Sequence, residues 1–302
     1  MATLRHQRSN TLHPVPARLL VGRAKSCLLS LDDPHVSGEH ATLAWSGEHW
    51  VLRDLGSRNG TFVDGKRLES GGSQPITVGQ VIAFGNLEDG YEVVDAGPAA
   101  AVAQGPDGRL CVAVEGQLAL PSPAAPAVVI YCDDRGRWVC EQEGEVSRID
   151  DGHSVVIDGA SWIVRVPAML DGTATMDVGP TLDTVRLRFG VSLDEEHVEL
   201  TILSRGREIE VEAREHSYIL LTLARARLAD AALPLKEQGW IDRDRLLKML
   251  QLDTNALNVG IYRARGQLAK AGLEGATGIV QVRRGHRRFG MEPDRFEITS
   301  LG

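Results

Sequence analysis

Four short segments in the first third of this 302-residue chain place reactive side chains on turns. They are Gly22-Arg23, Ser37-Gly38-Glu39-His40, Ser57-Arg58-Asn59-Gly60-Thr61 and Val78-Gly79-Gln80-Val81-Ile82-Ala83-Phe84-Gly85, set between apolar runs such as Leu19-Leu20-Val21 and His49-Trp50-Val51-Leu52. A phosphate dianion is best met by a planar guanidinium fork, and an arginine at a strand end supplies one. A serine hydroxyl adds a donor, and loop N–H groups complete a cradle. An asparagine amide both donates to and accepts from an extended backbone. Gly60 suits a turn that requires positive φ, and Thr61 opens the next strand.

A second concentration of chemistry lies near the C-terminus. Between Thr254 and Met291, Arg263, Arg265, Lys270, Arg283, Arg284, Arg287 and Arg288 stand against Glu274 alone, a local balance of +6 on a chain of net charge −8. A basic end on an acidic protein suggests a local polyanion site.

The first set, in this order and within about seventy residues, resembles the forkhead-associated (FHA) domain, a β-sandwich whose loops bind phosphothreonine peptides. The resemblance implies that Arg23 and Ser37 hold the phosphate and that Asn59 grips the peptide backbone. It makes His40 a structural brace behind the binding loops, with Gly22, Gly60 and Thr61 supporting them. One residue departs from the pattern. The position after Ser37 commonly carries Arg or Asn against the phosphate, and here it is Gly38. A charge-assisted hydrogen bond is worth roughly 1.5–3 kcal/mol, so its loss lowers affinity about tenfold or more. Arg58 brings a second guanidinium to the same rim in compensation.

The elements that must position these groups imply a multidomain chain, mainly β plus α+β. Residues 1–95 are expected to form the FHA sandwich, with short apolar strands alternating with Gly, Asp and Asn turns. Residues 96–108, rich in Gly, Ala and Pro, read as a linker. Residues 109–170 again alternate as strands, at Ala127–Tyr131, Trp138–Glu141, Ser154–Ile157 and Trp162–Val166. They are either a degenerate FHA-like repeat stripped of its phosphate loops or an unrelated β-meander. Residues 171–184 read as a second linker, crowded with Thr173, Thr175, Thr181 and Thr184.

The last stretch, 185–302, starts with strands at Val185–Phe189, Val198–Leu203 and Glu208–Val211. The period then changes from two to about 3.6. One helix carries Tyr218, Leu221, Leu223 and Leu228. A second carries Ile241, Leu246, Leu247 and Leu250. A third is capped by Asp253 or Thr254 and stopped by Gly272. Gly278–Val282 and Arg287–Met291 pair as a hairpin. Leu257-Asn258-Val259-Gly260-Ile261-Tyr262-Arg263-Ala264-Arg265-Gly266-Gln267-Leu268, with the arginine-rich hairpin after it, resembles the winged helix-turn-helix domain of response-regulator transcription factors. The resemblance makes the third helix the recognition helix and the hairpin the wing. Leu257, Ile261, Ala264 and Leu268 form its core stripe. Asn255, Asn258, Tyr262 and Arg265 share the other side, where Asn and Arg can read base edges, with Arg263, Arg283, Arg284, Arg287 and Arg288 nearby for phosphates.

The composition, 43% hydrophobic and 25% charged, is globular. No apolar run approaches the ~20 residues of a membrane span, and the N-terminus lacks a signal-peptide core. Cys27, Cys111, Cys132 and Cys140 show no metal-ligand pairing and are expected as thiols in a reducing cytoplasm. No nucleotide loop, hydrolase elbow, zinc motif or catalytic carboxylate pair is present, so neither an enzyme nor a cofactor is expected. The expected function is a phosphothreonine-binding transcriptional regulator answering to a Ser/Thr protein kinase, with duplex DNA as second partner. The alternative is an adaptor that recruits phosphorylated proteins and uses its C-terminal helices for protein contacts.

Overall fold

The computed structural model describes residues 1–133, 135–167 and 180–301. Thr173 and Thr175, and most of the second expected linker, lie outside the described residues. Two compact units emerge, one built on residues 1–102 with 164–167, the other on 103–163 and the described residues from Pro180 onward.

The first unit is a two-sheet sandwich. One sheet has five strands in the order Leu29–Ser30, Arg18–Gly22, Ala41–Trp45, Trp50–Asp54, Ser73–Ile76. The other has six, in the order Leu12–Pro14, Thr3–His6, Gly90–Asp95, Val81–Phe84, Thr61–Val63, Lys66–Arg67. Alternation along each strand sends Leu4, Val21, Leu43, Trp50, Leu52, Ile82 and Val93 into one core. The same alternation has a consequence at the end of Trp50–Asp54. Trp50, Leu52 and Asp54 point inward while Arg53 points out, so a carboxylate is buried where the sandwich meets its loops.

The second unit opens with an antiparallel meander of Gln117–Ser122, Ala125–Cys132, Trp138–Gln142 and Glu145–Arg148. A separate sheet runs in the order Leu110–Val112, Val102–Gln104, Ala160–Arg165, Ser154–Ile157. Further on, Arg186–Val191, Val198–Ser204 and Arg207–Val211 form an antiparallel sheet, and Phe296–Ser300 adds to Arg186–Val191 in parallel. That last strand was not anticipated from sequence. Three helices follow the sheet: α1 (Ser217–Ala229), α2 (Arg243–Leu250) and α3 (Thr254–Lys270). Ile241 belongs to a two-residue strand rather than to α2, because Asp242 caps the helix by accepting from the Asp244 and Arg245 amides. Asp253 caps α3 through the Ala256 amide. The hairpin Val280–Arg283 and His286–Phe289 closes the unit, pairing with Ile241–Asp242.

Leu257, Ile261, Ala264 and Leu268 of α3 are buried as expected and meet Leu187, Phe189, Leu220, Leu223 and Phe289 in one core. Gly260 has a packing reason inside the helix. A Cβ there would collide with the end of Ile219, so the glycine lets α1 and α3 approach closely.

Candidate functional site

Three loops at one end of the sandwich are tied together through backbone bonds. The Arg23 amide donates to the Ser37 carbonyl and the Ala24 amide to the Gly38 carbonyl, each at 2.9 Å. The Arg58 amide donates to Ser37 Oγ at 3.1 Å. Gly22 is required for this closure, since a Cβ on it would drive into the Gly38 carbonyl. Arg23, Ser37 and Arg58 are thus brought to one rim. The Arg23 and Arg58 side chains are exposed and make no ion pair among the described residues. Ser37 Oγ accepts from Arg58, which leaves its proton to donate outward.

His40 lies fully buried behind these loops. Its Nδ1 accepts from the Ser37 amide at 3.1 Å, so its Nε2 carries the proton and donates to the Gly60 carbonyl at 3.1 Å. Burial holds the imidazole below its ordinary pKa of 6.5, against the Gly60 bond and the Asp54 charge, which favour protonation. Neutral His40 links the Ser37 loop to the Asn59-Gly60 loop. Asn59 itself donates to the His35 carbonyl at 2.7 Å, which clips its loop to the segment before Ser37.

Asp54 is the residue that sequence reasoning missed. Its two oxygens accept from five donors. Ser57 Oγ (2.5 Å) and Thr61 Oγ1 (2.7 Å) meet Oδ1, while the amides of Gly56 (2.8 Å), Ser57 (3.0 Å) and Gly71 (3.3 Å) meet Oδ2. Ser57 Oγ in turn accepts from the Gly60 amide. Burial alone would raise the Asp54 pKa, but the hydrogen bonds outweigh it and bring it down from 3.8 to about 2. The signal was present in the sequence as an aspartate followed by Gly, Ser and Thr within seven positions, an arrangement suited to side-chain-to-backbone turns.

Gly38 is exposed, and nothing lies within 4 Å of where its Cβ would stand. Gly38→Arg therefore adds a guanidinium beside Ser37 without displacing anything. The expected result is about tenfold tighter binding of phosphothreonine peptides by calorimetry, the gain of one charge-assisted hydrogen bond.

The basic residues of the second unit are placed differently from one another. Asn255, Arg263, Arg283 and Arg284 are exposed. Arg288 is half-buried, stacked over Trp240 at 4.5 Å and bonded to Gln281 Oε1, with burial pulling its pKa to about 10. Arg283 also lies over Trp240, at 5.1 Å. Arg265 and Arg287 require a correction. Sequence reasoning turned both toward DNA, yet each is only 1% exposed and both are ion-paired to Glu141, from the strand Trp138–Gln142. Arg265 additionally donates to the Val280 carbonyl at 2.7 Å and stacks over Tyr131 at 4.7 Å. Asn258 donates to the Pro126 carbonyl at 3.2 Å, and Tyr262 packs against Val129, Tyr131 and Val139. The polar face of α3 is covered by the meander because its long side chains find acceptors and aromatic surface there.

No helix among the described residues is long and apolar enough to cross a membrane. No group of three or more His, Cys, Asp or Glu residues is placed to hold a metal ion among them, and no disulfide forms there.

The FHA domain family model matches residues 19–85, and the chain carries an FHA domain there. Among curated relatives, FHA domain-containing protein FhaB of Mycobacterium tuberculosis is 40% identical over 58 residues, 19% of this chain and 37% of the relative. Nibrin of Danio rerio is 34% identical over 74 residues, 24% of this chain and 9% of the relative. Among solved structures, Mycobacterium tuberculosis EmbR in complex with a low-affinity phosphopeptide is 28% identical, over 32% of this chain and 25% of that one, with a TM-score of 0.29. The FhaA FHA domain, complexed with an intracellular domain of a second protein, is 26% identical over 31% of this chain and 99% of that one, TM-score 0.28. The chain thus spans little more than a third of the length of FhaB and a quarter of EmbR.

Proposed function

We propose that this chain is a phosphothreonine-dependent regulator, its FHA domain docking onto proteins marked by a Ser/Thr kinase and its second unit binding duplex DNA. The observation that carries the first half is the convergence of Arg23, Ser37 and Arg58 on one rim, held by His40 and Asp54 from behind. Arg23 takes the dianion as a fork, Ser37 and Arg58 add donors, and Asn59 stands where the peptide backbone would pass. The FHA family match over residues 19–85 supports reading a phosphopeptide as the ligand class here.

The DNA half is supported by element order. Three antiparallel strands, three helices and a basic hairpin follow one another as in a winged helix-turn-helix, and Phe296–Ser300 then returns to the first sheet. Arg263, Arg283 and Arg284 are the exposed cations available to phosphates. With three such contacts, the logarithm of duplex affinity should fall against the logarithm of salt with a slope of roughly −2.7. Fluorescence anisotropy on a mixed-sequence duplex across a salt series checks it.

The covered face of α3 favours a second reading, an adaptor whose C-terminal helices serve protein contacts. An absence of salt-dependent duplex affinity at low ionic strength would decide for the adaptor.

A further inference from the structure

The contact between α3 and the meander sets a buried charge cluster beside a small apolar one, in which Tyr262 packs on Val129, Tyr131 and Val139. Glu141 Oε2 takes Arg265 Nη1 at 3.1 Å and Glu141 Oε1 takes Arg287 Nη2 at 3.0 Å. One carboxylate, with one oxygen to each guanidinium, thus joins the helix to the hairpin. The two non-bridging oxygens of a DNA phosphate could make the same pair of contacts. The surrounding contacts cover the same surface. Asn258 reaches the Pro126 carbonyl, Gln117 Nε2 reaches the Tyr262 carbonyl at 3.2 Å, and the Gly285 amide at the hairpin tip reaches the Gly144 carbonyl at 2.9 Å.

This arrangement is unevenly compensated, Arg265 having the Val280 carbonyl and the Tyr131 ring besides Glu141 while Arg287 depends chiefly on Glu141. Two buried guanidinium groups share one carboxylate, and the Nε of each has no hydrogen-bond partner among the described residues; Gln117 Oε1 is orphaned beside them. Burying charge that is incompletely paired is costly, so such a contact is held weakly for the area it covers. The opposite face of α3 contains no such defect, its Leu257, Ile261, Ala264 and Leu268 lying in apolar core. The chain therefore has one face of α3 built to stay packed and one face poised to part.

We propose that the meander Gln117–Arg148 is a releasable lid over a phosphate-binding pair, Arg265 and Arg287, with Glu141 standing in for the phosphate of duplex DNA. This rests on the DNA reading above. In the closed form, Arg263, Arg283 and Arg284 are the exposed arginines that α3 and the hairpin offer a duplex, and they hold it weakly. Displacing the lid exposes Asn258, Tyr262, Arg265 and Arg287 together, so that the helix and the hairpin engage at once.

The test uses the full chain and two variants. Glu141→Gln keeps the shape of the side chain and removes the anion. Val129→Lys puts a third cation into the small cavity that Val129 lines with Glu141, Tyr262, Arg265 and Arg287. Affinity for a mixed-sequence duplex at low ionic strength and amide hydrogen exchange across Thr254–Lys270 are measured on each. Both variants should bind at least tenfold more tightly and exchange faster along α3, and adding Arg265→Ala to Glu141→Gln should remove the gain. Unchanged exchange and affinity in both variants would overturn the lid. Wild-type affinity equal to that of the variants would overturn it too, while leaving DNA binding in place. Faster exchange with no duplex affinity in any form would remove the DNA reading, and this inference with it.

Discussion

Arg23→Ala should abolish binding of phosphothreonine peptides while leaving the unfolding transition of the sandwich where it is. The side chain is exposed and makes no ion pair among the described residues, whereas the bond that holds the loop runs from the Arg23 backbone amide to Ser37 and survives the substitution. Surface changes of this kind shift stability within about ±0.5 kcal/mol. Two charge-assisted hydrogen bonds to the dianion, at roughly 1.5–3 kcal/mol each, make the loss on the order of a hundredfold or more. Arg58→Ala should cost less, about tenfold, since a single rim contact goes. Calorimetry with one phosphothreonine peptide, beside thermal unfolding of each variant, checks both parts. Unchanged affinity in Arg23→Ala would remove it from the phosphate site.

Asp54→Asn should have the largest effect on stability, though it touches no ligand. All the groups facing Asp54 in its buried cage are donors, two hydroxyls and three amides. Either orientation of an asparagine amide sets an NH2 group against them, so at least one buried donor is stranded. The expected cost is about 3 kcal/mol in denaturant unfolding of the sandwich, together with loss of peptide binding as the Ser57–Thr61 loop comes loose. The pH dependence follows from the same contacts. The folded pKa of Asp54, about 2, lies below its ordinary 3.8. Its stabilisation, about 2 kcal/mol, is thus present above pH 3.8 and is lost as pH falls through 3.8 toward 2. His40, also depressed, contributes above its ordinary 6.5 and begins to lose its share as pH falls below that value. Stability of the wild-type sandwich should therefore decline in two stages on acidification, and Asp54→Asn should keep the first and shrink the second to the share of the other depressed carboxyl, Asp33.

How much of this was legible in sequence differs between the two units. In the sandwich, the candidate binding residues sit on turns whose glycines have local reasons, so short segments in order were enough to place Arg23, Ser37, Arg58 and Asn59 on neighbouring loops. Asp54 escaped because an aspartate closing a strand looks like a surface residue until the alternation Trp50, Leu52, Asp54 is followed to its end. In the second unit, the 3.6 period located the apolar stripe of α3, as local patterns do. That period cannot say what covers the other face. Glu141 and Arg265 lie 124 positions apart, and nothing in either neighbourhood marks them as partners. Arg265 and Arg287 therefore read as solvated cations when they are buried ones. Phe296–Ser300 was missed for a related reason, since a short terminal strand gains its identity only from the Arg186–Val191 edge it pairs with.

The central claim is that the rim formed by Arg23, Ser37 and Arg58 binds phosphothreonine. Titrating the isotope-labelled chain with a phosphothreonine peptide, and separately with its unphosphorylated twin, tests it residue by residue through amide shifts. Saturable shifts are expected at Arg23, Ser37, Gly38, Arg58 and Asn59 with the phosphopeptide alone. Shifts of equal size with both peptides, or none at these five amides, would contradict it.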